Sequence, residues 1–464
     1  MMNAAFREWE FEVMERYLER KVNLPILQFF NSNYEVCLFN QAILAPANSV
    51  IVYLEDFVEA RLGCYKLLLD FFTFSDYIRF EERFRESRLA EEYGNEIGSL
   101  PRTTFFRINN YRSADVPVKG AHYFLDVRAL LNRELSISRG NPEDFPLLYE
   151  FTLPGDNDAE IRNENEEPRN NVTLLYQTSP LSYPQWMFSS LQSKNNPADI
   201  PSDAETKLMV WDVDQGNCNE IKCNDLPYAI FDAGTEVVDS NPEFMNLRHK
   251  LEQELDNSTL PMFVLSHWHT DHYSMLYALD DDCLMKIQYF VLPRCVKSLS
   301  PFCFIARLNW LGANVNMVVL PTNTKWIKHP INNNLWVYAN KYYQSKINNS
   351  GLTMFVQGPK NNAMLPGDCR YGLAEEQTND SIKLRMVGGQ VHYLVVPHHC
   401  GKAGAVRYRI KNAADIKGIV SVGRNNHGHP NGKVKSQLER FVSDVKMTMI
   451  PEDLNGDDHI FVEL

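Results

Sequence analysis

The sequence has little in common with secreted or disulfide-bonded proteins. Its nine cysteines are an odd number, and no two of them stand at C-x-x-C spacing. Disulfide frameworks use even numbers of cysteines in an oxidising compartment, so we expect reduced thiols here. The first residues also lack the basic start and the uninterrupted apolar core of a secretory signal. These absences predict a cytoplasmic protein.

Long apolar runs are missing too. The stretch 51–72 is rich in apolar residues, but Glu55, Asp56 and Lys66 are among the charges that interrupt it. A transmembrane helix needs about 20 consecutive apolar residues, so we expect no membrane span. Hydrophobic residues still make up 44% of the chain, which is enough for ordinary globular cores.

Positive charge is scarce over the whole chain but concentrated in one window. The net charge is −13, which disfavours loose wrapping of nucleic acid over the surface. Residues 401–435 nevertheless contain eight lysines and arginines and a single acid, Asp415. The window fits either contact with an anionic substrate or a solvated basic surface, and the sequence favours neither.

The length of 464 residues predicts two domains. Two polar, aperiodic stretches, 154–171 and 193–202, suggest a boundary near residue 205. We therefore predict a mixed α/β domain over 1–204, of unknown role and a candidate docking surface for a protein partner, and a second domain over 205–464.

Patterning within these domains predicts the main elements. In the first domain we predict helices over 51–74 and 77–93 and strands over 103–109 and 122–127. In the second domain, strands alternate with helices, as in a sandwich whose site lies at one edge. The predicted strands there cover 207–213, 228–231, 287–292, 315–320, 335–339, 352–357, 363–365, 393–396 and 419–422.

The most informative motif is an H-x-H-x-D-H string that follows the apolar run 260–265. It supplies four candidate ligands, His267, His269, Asp271 and His272. Imidazole and carboxylate groups suit Zn²⁺, Mn²⁺ or Fe²⁺. Side chains two apart in an extended loop can reach one ion while the next pair reaches a second, so the string predicts a two-metal site.

Further candidate ligands stand at the ends of other predicted strands. Asp232 follows one such strand and Asp368 another, where a carboxylate could bridge two metals. His398 and His399 follow a third strand, and His429 lies beyond a fourth.

This order of strands and ligands resembles the metallo-β-lactamase superfamily, whose members bind one or two metals at the edge of an αββα sandwich. The resemblance covers 207–464. It is closest to the hydrolase domain of the competence-type DNA-uptake proteins, through the segments 212–216, 231–234, 397–400 and 421–430.

The resemblance implies a role for each candidate. His267 and His269 would bind the first metal, Asp271 and His272 the second, Asp368 would bridge, and His398 would complete the second site. Asp232 would orient ligands from behind. Asp271 would also belong to the catalytic residues, with His399 and His429, each of the two histidines being either a ligand or a substrate contact. Asn348, Asn349 and Ser350 stand where the family has a further histidine.

The implied activity is that of a dinuclear, metal-dependent hydrolase that uses a metal-bridging hydroxide, with Zn²⁺ or Mn²⁺ as cofactors. A phosphodiesterase or nuclease is the leading reaction, with single-stranded DNA or RNA as the substrate. Trp268, Tyr273 or Tyr408 could supply aromatic contacts to it. The alternatives are a hydrolase of a small ester, lactam, thioester or cyclic nucleotide, and a metal-stabilised regulatory or scaffold protein of a bacterial multi-protein, defence-like system.

Overall fold

The structure is a computed structural model of the whole chain. It describes residues 49–72, 76–77, 80, 104–113, 116–126, 136–139, 147–152, 174–178, 197–214, 216–235, 242–258, 260–294, 296–321, 323–341, 347–383, 390–406, 415–423, 428–454 and 459–464.

The chain divides into two compact units. Unit 1 comprises residues 1–187 and 296–310, and unit 2 comprises 188–295 and 311–464. The segment 296–310 thus belongs to unit 1, although it lies between two strands of unit 2 in the sequence. No single boundary describes this arrangement, and the boundary at residue 205 stays a prediction.

Unit 1 is built on one seven-stranded sheet with the order β5-β6-β3-β2-β1-β4-β7. Its strands are β1 (Ser49–Arg61), β2 (Cys64–Phe71), β3 (Thr104–Arg112), β4 (His122–Asp126), β5 (Ser136–Arg139), β6 (Leu147–Thr152) and β7 (Leu174–Thr178). β3 and β4 confirm two predicted strands. The predicted helix over 51–74 is wrong, because β1 and β2 form an antiparallel hairpin there. Most of the predicted helix over 77–93 lies outside the described residues.

The first sheet of unit 2 has the order β13-β12-β11-β10-β9-β8-β21. Strands β10 to β13 are parallel, whereas β8, β9 and β21 pair in antiparallel fashion. The strands are β8 (Thr206–Trp211), β9 (Gly216–Cys223), β10 (Leu226–Thr235), β11 (Met262–Val264), β12 (Phe290–Pro293), β13 (Val315–Val318) and β21 (His459–Glu463).

The second sheet of unit 2 has the order β14-β15-β16-β17-β18-β19-β20. Strands β17 to β20 are parallel, and β14 to β17 are antiparallel. The strands are β14 (Trp326–Pro330), β15 (Leu335–Asn340), β16 (Leu352–Gln357), β17 (Asn362–Leu365), β18 (Val391–Val395), β19 (Asp415–Val420) and β20 (Asp444–Met447).

The two sheets of unit 2 form a sandwich. One apolar core contains inward-facing residues of both sheets, for example Phe231 and Val264 of the first and Met354 and Leu365 of the second. A second apolar cluster lies on the other face of the second sheet, where two helices cover it. The described residues form the helices α1 (Pro242–Asn257), α2 (Thr270–Ala278), α3 (Asp281–Met285), α4 (Leu299–Trp310), α5 (Tyr371–Lys383) and α6 (Gly432–Leu438). Of these, α5 and α6 cover the second cluster, and α4 belongs to unit 1.

The predicted fold class is confirmed, since the structure is a mixed α/β protein with a sandwich of sheets in unit 2. Each predicted strand of unit 2 overlaps a strand in the structure. Within the described residues, no helix is both long and apolar enough to cross a bilayer.

Buried polar groups of unit 1 hold the start of α4. Asp70 on β2 accepts a hydrogen bond from the backbone N–H of Ser300 over 3.0 Å. Ser298 donates to Glu55 on β1, and His122 Nε2 donates to the carbonyl of Lys297. Burial raises the pKa of Asp70 to about 7, although hydrogen bonds from Ser300 and Ser298 act in the opposite direction.

The contribution of Asp70 to the stability of unit 1 should fall as the pH rises, because the pKa of Asp70 is higher in the folded chain than its ordinary value of 3.8. Its contribution is fully present below pH 3.8 and is lost as the pH rises through about 7. In Asp70→Asn the side chain stays neutral and can still accept from Ser300. Hydrogen exchange on the full chain should therefore show a smaller loss of protection at the β2 amides in the variant than in the wild type between about pH 5 and pH 8.

Asp256→Asn, which removes a surface ion pair with Lys286, is the matched control and should behave as wild type. Parallel pH profiles for Asp70→Asn and wild type would contradict the assignment to Asp70.

Candidate metal centre

The histidine string lies where a buried central strand ends. β11 ends at Val264, and the string runs through the following loop into the first turn of α2. His267, His269, Asp271 and His272 are all buried. The neighbouring strands β10 and β12 are parallel to β11, so their carboxyl ends lie at the same edge of the sheet. The loop therefore carries four candidate ligands to this edge.

Asp232 fixes the orientation of His272. It occupies a β-bulge of β10 opposite β9, with a left-handed φ of 62°. Its Oδ1 accepts from the backbone N–H of Ser266 over 2.6 Å, and its Oδ2 accepts from the Ser266 hydroxyl over 2.8 Å and from His272 Nδ1 over 2.8 Å. Because a carboxylate can only accept, His272 donates from Nδ1, and the neutral imidazole presents the lone pair of Nε2 to the site.

Two buried asparagines of β9 extend this network, and sequence reasoning missed their role. Asn217 Nδ2 donates to Asp232 Oδ2 over 2.9 Å, and Asn219 Nδ2 donates to Asn217 Oδ1 over 2.8 Å. The one available signal was their alternate spacing on a strand, which places both side chains on one face. A buried amide needs partners, and here it provides a donor to Asp232.

The second sheet contributes the other half of the site. Asp368 follows β17, and His398 and His399 follow β18, which is parallel to β17. His398, His399 and Cys400 all have left-handed backbone conformations, with φ of 53°, 51° and 61°. The N–H of His398 donates to the carbonyl of Gly367 over 3.1 Å, which ties the two loops together.

Asp368 lies between side chains of both sheets. Its Oδ1 is 3.4 Å from His272 Nε2 and 3.8 Å from His399 Nε2. Its Oδ2 is 2.7 Å from His398 Nδ1 and 3.9 Å from His267 Nε2. The carboxylate therefore has one oxygen towards each part of the histidine string, as a bridging ligand requires.

Candidate ligand atoms converge in two groups. The first ligand group consists of His267, His269 and Asp368, and the second of Asp271, His272 and His399. Within each group the ligand atoms lie within 4.8 Å of one another, and all six residues are buried. The structure thus brings together residues that are more than a hundred positions apart in the chain.

Three buried atoms of this cluster indicate that it suits a cation. Within the described residues, His272 Nε2, Asp368 Oδ1 and His399 Nε2 have no hydrogen-bond partner. Burial of polar atoms without partners costs free energy. A divalent cation would satisfy all three lone pairs at once, so the donor set fits Zn²⁺, Mn²⁺ or Fe²⁺.

The electrostatics also favour positive charge at the second ligand group. Burial lowers the pKa of His272, but attraction from Asp232, Asp368 and Asp271 outweighs it and holds this pKa well above the ordinary value. Burial raises the pKa of Asp368, yet His398 and His272 hold it well below the ordinary range. A field that attracts a proton to His272 attracts a metal ion as well.

His399 is held as a neutral imidazole. Its Nδ1 donates to the carbonyl of Ser421 over 2.9 Å, which leaves the lone pair on Nε2. Burial lowers its pKa below the ordinary value. His398 differs, because 27% of its side chain is exposed. His429, also part-buried, lies beside it, with ring centroids 5.3 Å apart.

Asn348 contacts the bridging candidate Asp368, a role that was not predicted from the sequence. It lies in a 3-10 turn, Ile347–Ser350, directly before β16. Its Nδ2 donates to Asp368 Oδ2 over 3.0 Å and lies 3.5 Å from His398 Nδ1. The structure therefore places an amide beside the first ligand group.

The aromatic residues of the string do not face a substrate. Trp268 is buried and donates from Nε1 to the carbonyl of Pro293 over 2.8 Å, and Tyr273 is buried beside it. The expectation that either could stack on a nucleic acid is therefore wrong, and Tyr408 lies outside the described residues.

Burial raises the pKa of Cys369 to about 12 and that of Cys400 to about 11, so both remain thiols.

Comparisons with known proteins yield little. No family model matches the chain, and no curated protein matches it. Among solved structures, CmlA, a diiron β-hydroxylase from Streptomyces venezuelae, matches with a TM-score of 0.30 and 10% identity over 57% of this chain and 55% of CmlA. A mutant of CmlA β-hydroxylase gives 0.31 and 9% over the same shares. The chain thus spans about half the length of these structures, and at such scores neither match bears on fold or activity.

Gly234 makes room for the second ligand group. A Cβ at this position would lie 2.4 Å from the backbone nitrogen of His272 and 2.6 Å from the carbonyl oxygen of Asp271. Gly234→Ala should therefore displace the start of α2 and weaken the binding of Zn²⁺ or Co²⁺ by about tenfold or more in calorimetric titration.

Gly372→Ala is the matched control, since a Cβ there meets nothing within 4 Å, and it should bind metal as wild type does. Unchanged metal affinity in Gly234→Ala would show that the backbone of α2 does not position the ligands.

Asp232→Asn tests the orientation of His272. The amide would turn one donor towards the donors that now surround Asp232, so His272 would lose its fixed orientation. We expect metal affinity to fall by about 10- to 100-fold. Asp225→Asn, at an exposed carboxylate paired with Lys207, should leave the affinity unchanged. Equal affinities in the two variants would contradict the positioning role.

Proposed function

We propose that the protein is a metal-dependent hydrolase with two divalent ions, Zn²⁺ or Mn²⁺, in its active site. The observation that carries this proposal is the convergence of two His/Asp groups on one buried carboxylate, Asp368. Three buried atoms of these groups, His272 Nε2, Asp368 Oδ1 and His399 Nε2, have no hydrogen-bond partner among the described residues. A scaffold without metals would have little reason to bury such a set.

The ligands that we assign follow the two groups. His267 and His269 would hold one ion and Asp271, His272 and His399 the other, with Asp368 shared. His399 replaces His398 in the set implied by the resemblance, because His399 is buried with Nε2 towards Asp368, whereas His398 is part-exposed. When bound, such ions lower the pKa of water and stabilise negative charge on the attacked group.

We assign substrate contact to the two part-exposed imidazoles, His398 and His429. Their rings pack against each other and lie beside the buried ring of His399, with centroid distances of 6.4 Å and 6.2 Å to it. An N–H there can donate a hydrogen bond to an oxygen of the substrate or of its leaving group. Neither Ser nor Cys is needed as a nucleophile in this scheme.

Phosphodiester hydrolysis, with single-stranded DNA or RNA as the substrate, is the reaction that we favour. It is supported by the resemblance to competence-type proteins and by the positive charge of residues 401–435. Lys402 and Lys433 of this window are exposed, while Arg407, Arg409, Lys411 and Arg424 lie outside the described residues. Because the whole chain has a net charge of −13, recruitment by a protein partner through residues 1–204 belongs to the proposal.

Elemental analysis of the purified protein tests the metal centre. We expect about two equivalents of Zn or Mn per chain, and loss of activity on chelation that is restored by the same ion. Iron in place of both would redirect the proposal towards redox chemistry. A protein that takes up no divalent ion would end it.

Asp368→Asn tests hydrolysis itself. The change removes the charge shared by both groups, so turnover of bis-p-nitrophenyl phosphate should fall by about 10³-fold or more. Asp203→Asn, at an exposed turn, is the control and should keep full activity. Equal activity in the two variants would refute a metal-dependent reaction at this site.

The substrate is tested with labelled single- and double-stranded DNA and RNA beside p-nitrophenyl acetate and a cyclic nucleotide. Cleavage of single strands ahead of the small substrates supports the nuclease. Turnover confined to the small ester or the cyclic nucleotide contradicts it and favours a small-molecule hydrolase. Bound metal without any turnover favours a metal-stabilised scaffold.

A further inference from the structure

The two ligand groups differ in how open their donor atoms are. In the second group, His272 Nε2 and His399 Nε2 lack any hydrogen-bond partner within the described part of the chain, and so does the neighbouring Asp368 Oδ1. His272 and His399 are each held from behind, by Asp232 and by the carbonyl of Ser421. An ion there would replace only the 3.4 Å contact between His272 Nε2 and Asp368 Oδ1.

The first group is already engaged. Asp368 Oδ2, its only carboxylate oxygen, accepts hydrogen bonds from Asn348 Nδ2 over 3.0 Å and from His398 Nδ1 over 2.7 Å. His267 Nε2 and His269 Nδ1 are 3.0 Å apart and hydrogen-bond to each other. An ion at this group must displace these contacts before it can bind.

Charge adds to the difference. The second group combines Asp271 with Asp368 Oδ1, and Asp232 lies directly behind His272. The first group has no carboxylate besides Asp368. Because Coulomb attraction falls with distance and is weakly screened at buried sites, a dication at the second group is more strongly stabilised.

We infer that the protein binds its two ions unequally and in order. The tighter ion binds first, at Asp271, His272 and His399 of the second ligand group. The weaker ion binds afterwards, at His267 and His269 of the first ligand group. Asn348 is the residue that weakens the binding of this second ion. It supplies an amide N–H donor to Asp368 Oδ2 at a position where a metal ligand would strengthen binding. The inference rests on the proposed function, because it assumes that both groups bind metal.

Histidine at position 348 offers a gain-of-function test. The Cγ–Nδ1 edge of an imidazole occupies nearly the same place as the amide of asparagine, so Asn348→His would replace a donor with a ligand nitrogen close to Asp368 Oδ2. The metal-free full chain is titrated with Co²⁺ and followed by its visible absorption and by calorimetry. This readout does not depend on activity.

In the wild type we expect two binding steps about tenfold or more apart in affinity. Asn348→His should tighten the weaker step by about tenfold or more and leave the tighter step unchanged. Asn349→His, one residue along the same 3-10 turn, should titrate as wild type does. Two steps of equal affinity in the wild type, or no change in Asn348→His, would overturn the inference.

Two further variants keep the test decisive if Asn348→His does not fold. His399→Ala should remove the tighter step, and His269→Ala should remove the weaker one alone. The reverse pattern would contradict the assigned order. A wild-type protein that binds no Co²⁺ would refute the proposed function itself, whereas two equal ions would leave that function intact and refute the order alone.

Discussion

The carboxylate of Asp232 joins three segments that must meet for the site to exist. It accepts hydrogen bonds from Asn217 on β9, from Ser266 at the end of β11 and from His272 on α2. Oδ2 accepts three of the four hydrogen bonds and Oδ1 accepts one, so both oxygens are engaged inside the protein. The result is a rigid support in which His272 can take only one tautomer, and the orientation of the neighbouring ligands follows from it.

Backbone strain marks the same place. Asp232, His398 and His399 all have positive φ, a conformation that costs non-glycine residues about 1–3 kcal/mol each where the surroundings enforce it. The surroundings here are hydrogen bonds, since Asp232 is held by its donors and His398 by the carbonyl of Gly367. Gly367 itself has a φ of 55° and approaches Ser266 so closely that a Cβ would lie 2.6 Å from it. These strained backbone conformations orient the carboxylate and imidazole groups towards the candidate metal centre.

Features that depend on local sequence patterns could be predicted from the sequence. Features that depend on contacts between distant segments could not. The strands of unit 2 and the crowding of ligands at their ends follow from apolar runs and from the histidine string. The hairpin of β1 and β2 was predicted as a helix, because the local pattern around Glu55 and Asp70 does not show what these residues contact. They are buried, because Ser298 and Ser300, more than two hundred residues away, provide their donors. The role of Asn217 was missed for the same reason, since an asparagine has no sequence signature until its partner is known. Asn348 was noticed only as the residue at the place of a family histidine, and its contact with Asp368 was not predicted.

Metal binding at this site would also be coupled to the stability of the sandwich. Asp368 and His399 come from the second sheet, and the histidine string comes from the first, so an ion between them would cross-link the two sheets. Without an ion, the sheets bring buried lone pairs and carboxylates together, which opposes their association. Binding at a free-ion concentration 100 times Kd would stabilise the fold by about 2.7 kcal/mol. Selection for a metal site and selection for a stable sandwich would therefore act on the same side chains, and a substitution that removes one ligand would weaken both.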